Sequence, residues 1–162
     1  MSTLETVTNK AKALYPTKGK KIKTALEEVF GKQTFLAKIT DRVKTVEDAY
    51  KELNLNRSDY IPTKSIAMTD KYYAQICAEI DFEIVVAALN EGVELSFANA
   101  NQKKWRIWLK HDGISGFGFH NTFYDYADTL TNVGSRQSFA TQELAEYAGT
   151  QFIELINKIA NK

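Results

Sequence analysis

The sequence is poor in the residues that mark secreted, modular or membrane-spanning proteins. Its one cysteine, Cys77, cannot form a disulfide within the chain and suits a reducing compartment. Two prolines and no low-complexity tract favour one compact body of 162 residues over modules on a linker. The longest apolar run, Ile84–Leu89, has six residues, whereas a membrane helix needs about twenty. The residues after Met1 lack a basic start followed by an apolar stretch, so we expect no secretory signal and no membrane span.

The net charge of +1 hides an uneven distribution. Residues 1–38 have a local balance of +5, and the remainder has a balance of −4. Four lysines lie close together in the basic part: Lys18, Lys20, Lys21 and Lys23. They could contact nucleic-acid phosphates, or they could simply keep short surface helices soluble, which is the common role of lysine without arginine.

The pattern predicts one domain of class α+β in four consecutive parts. Residues 1–38 form a basic helical part, 39–92 a helical part, 93–140 an aromatic antiparallel sheet and 141–160 a C-terminal helix. Apolar residues at helical spacing predict short helices ending near Pro16 and at Gly31, and Thr45–Asp48 predicts the start of a third.

The longest predicted helix runs from about Asp70 to Asn90. Its second half is apolar on all sides, which places it inside the fold, and Gly92 is expected to end it. A last, continuous amphipathic helix is expected to start at Thr141, because apolar residues recur at helical spacing as far as Ile159.

Aromatics and glycines are concentrated between Trp105 and Tyr126, a stretch that contains both tryptophans and both histidines. Such density marks either a packed sheet or a surface that stacks on a partner. We expect two strands joined by a tight turn at Asp112-Gly113, and a third strand at residues 136–139. At least one tryptophan is expected to be fully covered by a helix, so that its replacement by alanine would cost about 3–5 kcal/mol.

Gly116-Phe-Gly-Phe119 matches half of an RNA-recognition-motif signature, whose aromatics stack on bases. The signature's leading basic residue is Ser115 here and its last aromatic is Thr122, and the predicted order of elements is wrong for that fold. The other interpretation is that Phe117 and Phe119 share one face of a strand, with glycines where another backbone comes close.

Residues 111–128 also include residue types that could bind a metal or catalyse proton transfer, namely His111, Asp112, His120, Asp125 and Asp128. The nine-residue gap between the histidines is not a metal-ligand spacing, and a tight turn would keep them apart. We therefore predict no catalytic residue, no metal and no cofactor.

Three residues are predicted to contact a ligand or a partner: Arg136, Trp108 and His120. Arg136 follows a glycine turn, where the forked donors of an arginine either fasten a loop or bind a carboxylate or phosphate.

Six blocks along the chain resemble a family of small proteins encoded by phages and prophages of gut bacteria. They are Phe30–Phe35, Ile39–Ala49, Ala88–Gly92, Gly116–Phe119 with Tyr124–Tyr126, Val133–Arg136 and Glu143–Gly149. The resemblance implies a phage setting, in the host cytoplasm or the virus particle, and implies no activity or ligand. Members of that family often carry an aromatic, proline-rich stretch where this chain has Asn101–Trp108, so the resemblance implies no shared ligand surface at this stretch.

Three functions remain open at this point. The first is a non-enzymatic phage protein that acts through contacts with a partner or with itself, as a component or cargo of the particle. The second is a nucleic-acid-binding accessory that uses the lysines and does not read sequence. The third is a small enzyme built around the two histidines.

Overall fold

The computed structural model describes residues 3–31, 35, 38–96, 98–99, 101–111, 113, 116–125 and 137–160. Within these residues it contains helices and a two-stranded antiparallel sheet, which confirms the α+β class. The chain divides into two compact units, residues 1–38 and 39–162, at the end of the basic part. The assignment of the whole chain to one domain stays a prediction. None of the described helices combines the length and the apolar character that crossing a membrane requires.

The first unit consists of helix α1 (Thr3–Leu14), a 3-10 turn (Tyr15–Thr17) and helix α2 (Lys20–Phe30). Tyr15 stacks on Phe35 with 4.4 Å between ring centroids, and its hydroxyl donates to the Glu27 carboxylate. This hydrogen bond raises the pKa of Tyr15. Helix α2 ends at Gly31, whose φ of 80° is a conformation that glycine adopts without strain, as the sequence predicts.

The second unit begins with two short helices, α3 (Ile39–Arg42) and α4 (Val46–Glu52). Helix α4 starts where it was predicted, and the structure shows a capping box there: the Thr45 side chain accepts from the Asp48 N–H, and the Asp48 carboxylate accepts from the Thr45 N–H. A connection with one 3-10 turn (Arg57–Asp59) then leads to helix α5.

Helix α5 (Asp70–Leu89) is the central element of this unit, as expected. Val85, Val86 and Leu89 on it are at most 1% exposed, and they join a core with residues from α3, α4 and the C-terminal helices. The helix ends at Asn90. Gly92 is not alone in stopping it, because Glu91 and Gly92 both have a positive φ, of 49° and 80°. Asn90 is itself buried and donates to the Ser138 carbonyl at 2.9 Å, which fastens the end of α5 to the 138–140 segment.

The sheet consists of β1 (Lys104–His111) and β2 (Phe117–Asp125). His111 pairs with Phe117, so the connection spans residues 112–116 and the expected two-residue turn is wrong. Gly113 still has a positive φ of 85°, and its N–H donates to His111 Nδ1 at 3.0 Å. The expected third strand is also wrong within the described residues, because Phe139 forms a single bridge to Trp105 there. Arg136 lies outside the described residues.

The C-terminal segment forms two helices, α6 (Gln142–Gln151) and α7 (Ile153–Ala160), instead of one continuous helix. The break is at Phe152, which is 5% exposed and leaves helical geometry with a φ of −109° and a ψ of 23°. The apolar stripe does not show this break, because the backbone turns without changing the spacing of the apolar residues.

Candidate functional site

A bulge in β2 decides which aromatic residues of the hairpin are exposed. Trp108 pairs with Asn121 and the next residue, Leu109, pairs with Phe119, so His120 is an extra residue in β2. Phe119 and Asn121 therefore lie on opposite faces of the sheet, although residues two apart in a regular strand share a face. The side chains of β2 thus change face at His120.

Before the bulge, Phe117 and Phe119 share a face with Leu109 and Ile107, and this face packs on α6. The contact is closest at Gly149, where an added Cβ would lie 2.4 Å from Phe119 Cδ2 and 3.1 Å from Ile107 Cγ2. The shared face of the two phenylalanines was predicted. The close approach was expected at the strand glycines, but a Cβ on Gly118 would meet no heavy atom within 4 Å.

After the bulge, Phe123 pairs with Arg106 and lies on the face that also carries Trp108. Trp108 is 56% exposed and Phe123 37% exposed, and their ring centroids are 5.1 Å apart in an edge-to-face arrangement. We call the surface formed by Arg106, Trp108, Asn121 and Phe123 the Trp108 face. His120 is exposed and lies in β2 opposite the step from Trp108 to Leu109, so the bulge brings two of the predicted contact residues together.

The expectation that a helix would fully cover one tryptophan is wrong. Trp105 is half-buried, with its ring centroid 4.9 Å from that of Tyr124, and Trp108 is exposed. The residue of β1 that is fully covered is Lys104, whose Nζ donates to the carbonyls of Asn99 and Gln102 at 3.0 and 2.8 Å. The sequence does not predict that this lysine is buried, because the carbonyls that satisfy its ammonium group belong to a loop whose position the strand pattern does not show.

A cavity of about 350 Å³ is bounded by α5, α7, both strands and the 137–138 segment. Its walls are mainly apolar and include Phe82, Ile107, Leu109, Phe123 and Ile156, and Arg106 also lines it. Ser138 also lines the cavity, is 1% exposed, and its hydroxyl has no hydrogen-bond partner within the described part of the chain. We call this space the edge cavity.

A buried polar site is centred on Asp81 of α5. The sequence pattern did not predict it, because Asp81 lies in the half of the helix that was expected to be apolar on all sides. Asp81 is 5% exposed and accepts two hydrogen bonds from Arg57, at 2.8 and 2.6 Å, and one from the Tyr50 hydroxyl at 3.1 Å. Burial and the Asp81 charge raise the pKa of Tyr50 to about 12. Because three donors already satisfy the carboxylate, this group fastens the 55–69 connection to α5.

The lysine cluster lies at the start of α2. Lys18, Lys20 and Lys21 are exposed, and Lys23 Nζ lies 5.3 Å from the centroid of the Tyr15 ring. None of the four lysines forms an ion pair with another residue that the structure describes.

The two histidines are not paired across the sheet. His111 packs edge-to-face on Phe117, with ring centroids 5.4 Å apart, while His120 occupies the bulge. Asp112 and Asp128 lie outside the described residues. No group of three potential metal ligands occurs among the residues whose placement is described. The absence of a catalytic metal stays a prediction.

No family model matches the sequence, and neither the curated proteins nor the solved structures contain a significant match.

Proposed function

We propose that the protein is non-enzymatic and works by binding another protein through the Trp108 face. The observation that carries this proposal is the exposure of Trp108 beside Phe123 on a paired hairpin. Exposed aromatic side chains next to an arginine are typical of the centre of protein interfaces, where a rigid ring buries a large area at a low entropic cost.

The hairpin holds this face in place before a partner arrives. On its other side Phe119 and Ile107 are fixed against Gly149 of α6. At the start of β2, the Asn157 side chain of α7 donates to the Phe117 carbonyl and accepts from the Phe117 N–H, both at 2.7 Å. A surface held in this way loses little conformational freedom on binding. The six sequence blocks support a phage setting for the contact, either in the virus particle or in the host cytoplasm, with the protein as a component or cargo of the particle.

A photo-crosslinking amino acid at position 108 tests the proposal. Tyr72 on α5 is the matched control, because its exposed fraction, 55%, is nearly that of Trp108, 56%. In host-cell lysate we expect one discrete crosslinked product from position 108, identified by mass spectrometry, and none from position 72. A product that contains two copies of the chain would identify self-association. The same products from both positions, or none from position 108, would contradict the proposal.

The lysine cluster supports a second candidate function, binding of nucleic acid without sequence preference. Four positive charges without an ion-pair partner among the described residues stand at a helix start whose first turn has no acidic residue. The positive end of the helix dipole makes this arrangement unfavourable unless an anion is close.

Replacing all four lysines by glutamine should flatten the salt dependence of duplex DNA binding, by about 0.9 in log–log slope for each phosphate that the variant no longer neutralises. The control replaces Lys51, Lys64 and Lys71 in the second unit, and it should leave the slope unchanged. If the wild-type protein retains no DNA at low salt, this second function is refuted.

A further inference from the structure

The edge of β1 that faces away from β2 has backbone groups that pair with no described residue. The Trp105 N–H donates to the Phe139 carbonyl at 3.0 Å, and the Phe139 N–H donates to the Trp105 carbonyl at 2.8 Å. In an antiparallel ladder, alternate residues of a strand direct both backbone groups to the same neighbour. Ile107 and Leu109 therefore direct their N–H and C=O groups to the side of Trp105 that faces Phe139, and these groups have no backbone partner in the described part of the chain.

These groups border the edge cavity, which Ile107 and Leu109 both line. The Ser138 hydroxyl, which has no partner among the described residues, lies in the wall of the same cavity. Buried polar groups are almost always hydrogen-bonded, so a strand edge and a hydroxyl that no described residue satisfies favour a ligand that offers both donors and acceptors. An extended backbone offers them at the two-residue repeat that Ile107 and Leu109 present.

The charge of β1 indicates the sequence of such a strand. Residues 103–111 contain four lysines and arginines and no acidic residue, and Lys103 and Lys110 are exposed. A partner strand with acidic side chains on its exposed face would complement this charge. Its alternate side chains would face the apolar walls of the edge cavity.

We propose that the β1 edge at Ile107 and Leu109 binds an extended acidic segment of the partner protein, which adds a strand to the hairpin and places an apolar side chain in the edge cavity. This inference rests on the proposed function, because the Trp108 face and the edge belong to the same strand, and it names the kind of partner segment that binds.

The test uses a library of blocked heptapeptides that alternate glutamate with an apolar residue. We expect selection against the wild-type protein to yield peptides that shift the NMR amide signals of Ile107 and Leu109 saturably and protect them from hydrogen exchange. The same peptides N-methylated on the residues that face Ile107 should bind at least tenfold more weakly, since they cannot donate to the strand. N-methylation on the alternate residues should be tolerated. Replacing glutamate by lysine should also abolish binding at low salt.

A matched protein variant is Leu109→Pro, which removes an N–H that points away from β2 and so leaves the β1–β2 ladder intact. It should no longer bind the peptides. If it fails to fold, the N-methylated peptides still decide the question without any change to the protein.

The inference is overturned if the library yields no peptide that shifts the Ile107 signal, or if both N-methylated forms bind equally. Protection of the Ile107 amide that rises with protein concentration and needs no peptide would overturn it too, since the occupant would then be a second copy of the chain. A peptide bound at the edge together with no crosslink from position 108 would uphold the strand edge and refute the Trp108 face, so the two failures are distinguishable.

Discussion

Gly149 is the point at which α6 comes closest to the sheet, and its replacement by alanine should destabilise the protein. The new Cβ would lie 2.4 Å from Phe119 Cδ2, 2.9 Å from Phe119 Cε2 and 3.1 Å from Ile107 Cγ2. Distances this short force either the phenylalanine ring or the helix to move. The ring has little freedom to do so, because Ile107 is fixed in the strand beside it.

Two opposing effects determine the size of the change. Overpacking a filled core typically costs about 1–3 kcal/mol, and a backbone-to-ring clash belongs in the upper part of that range. Alanine in a helix is more favourable than glycine by about 1 kcal/mol, which offsets part of this cost. We therefore expect the free energy of unfolding to fall by about 1–2 kcal/mol. With a urea dependence of about 2 kcal/mol/M, the unfolding midpoint should fall by about 0.5–1 M.

Gly118→Ala is the matched control in the same hairpin. Its Cβ would meet no heavy atom within 4 Å, so the variant should be as stable as the wild type or slightly more stable. Phe119→Leu should destabilise the Gly149→Ala variant less than it destabilises the wild type, because the smaller side chain relieves the clash. Equal or greater stability of Gly149→Ala relative to the wild type would refute the close packing of α6 on the sheet.

Three further outcomes are expected. The raised pKa of Tyr50 favours its neutral form in the folded state, so stability should fall by about 2–3 kcal/mol between pH 10 and pH 12, and Tyr50→Phe should remove most of this fall in urea titrations at each pH. If the variant shows the same fall, the phenol beside Asp81 is not its source. Asn90→Ala leaves the buried Ser138 carbonyl and the part-buried Ala140 N–H without their partner and should cost about 2–4 kcal/mol in urea denaturation. A cost below about 1 kcal/mol would contradict the fastening of that segment. Trp108→Ala should cost less than about 1 kcal/mol, because the ring is 56% exposed, and a thermal midpoint lowered by about 10 °C would show instead that it is part of the core.

Local signals were sufficient for elements whose ends are determined by nearby residues. The segment Thr45–Asp48 predicts the start of α4, and the apolar run in 84–89 predicts the buried part of α5. These predictions are confirmed because the hydrogen bonds and the apolar spacing that they use lie within one or two turns of chain.

Other features depend on residues far apart in the sequence. Asp81 is tolerated in the buried half of α5 because Arg57 and Tyr50 meet it there, and an apolar pattern contains no information about those partners. The close approach expected at the strand glycines is absent at Gly118 and is found at Gly149 of α6, since only the packing of α6 on the sheet determines where a Cβ would clash.

Composition and periodicity are enough to predict a long buried helix, an aromatic hairpin and a basic N-terminal part, because each is a property of neighbouring residues in the chain. The exposure of the individual aromatic side chains of the hairpin depends on strand pairing. One extra residue, His120, reverses the alternation of β2, so that Phe119 faces α6 and Phe123 joins Trp108 on the open face. Pairing with β1 creates that bulge, and the order of residues along β2 alone does not show where the alternation changes.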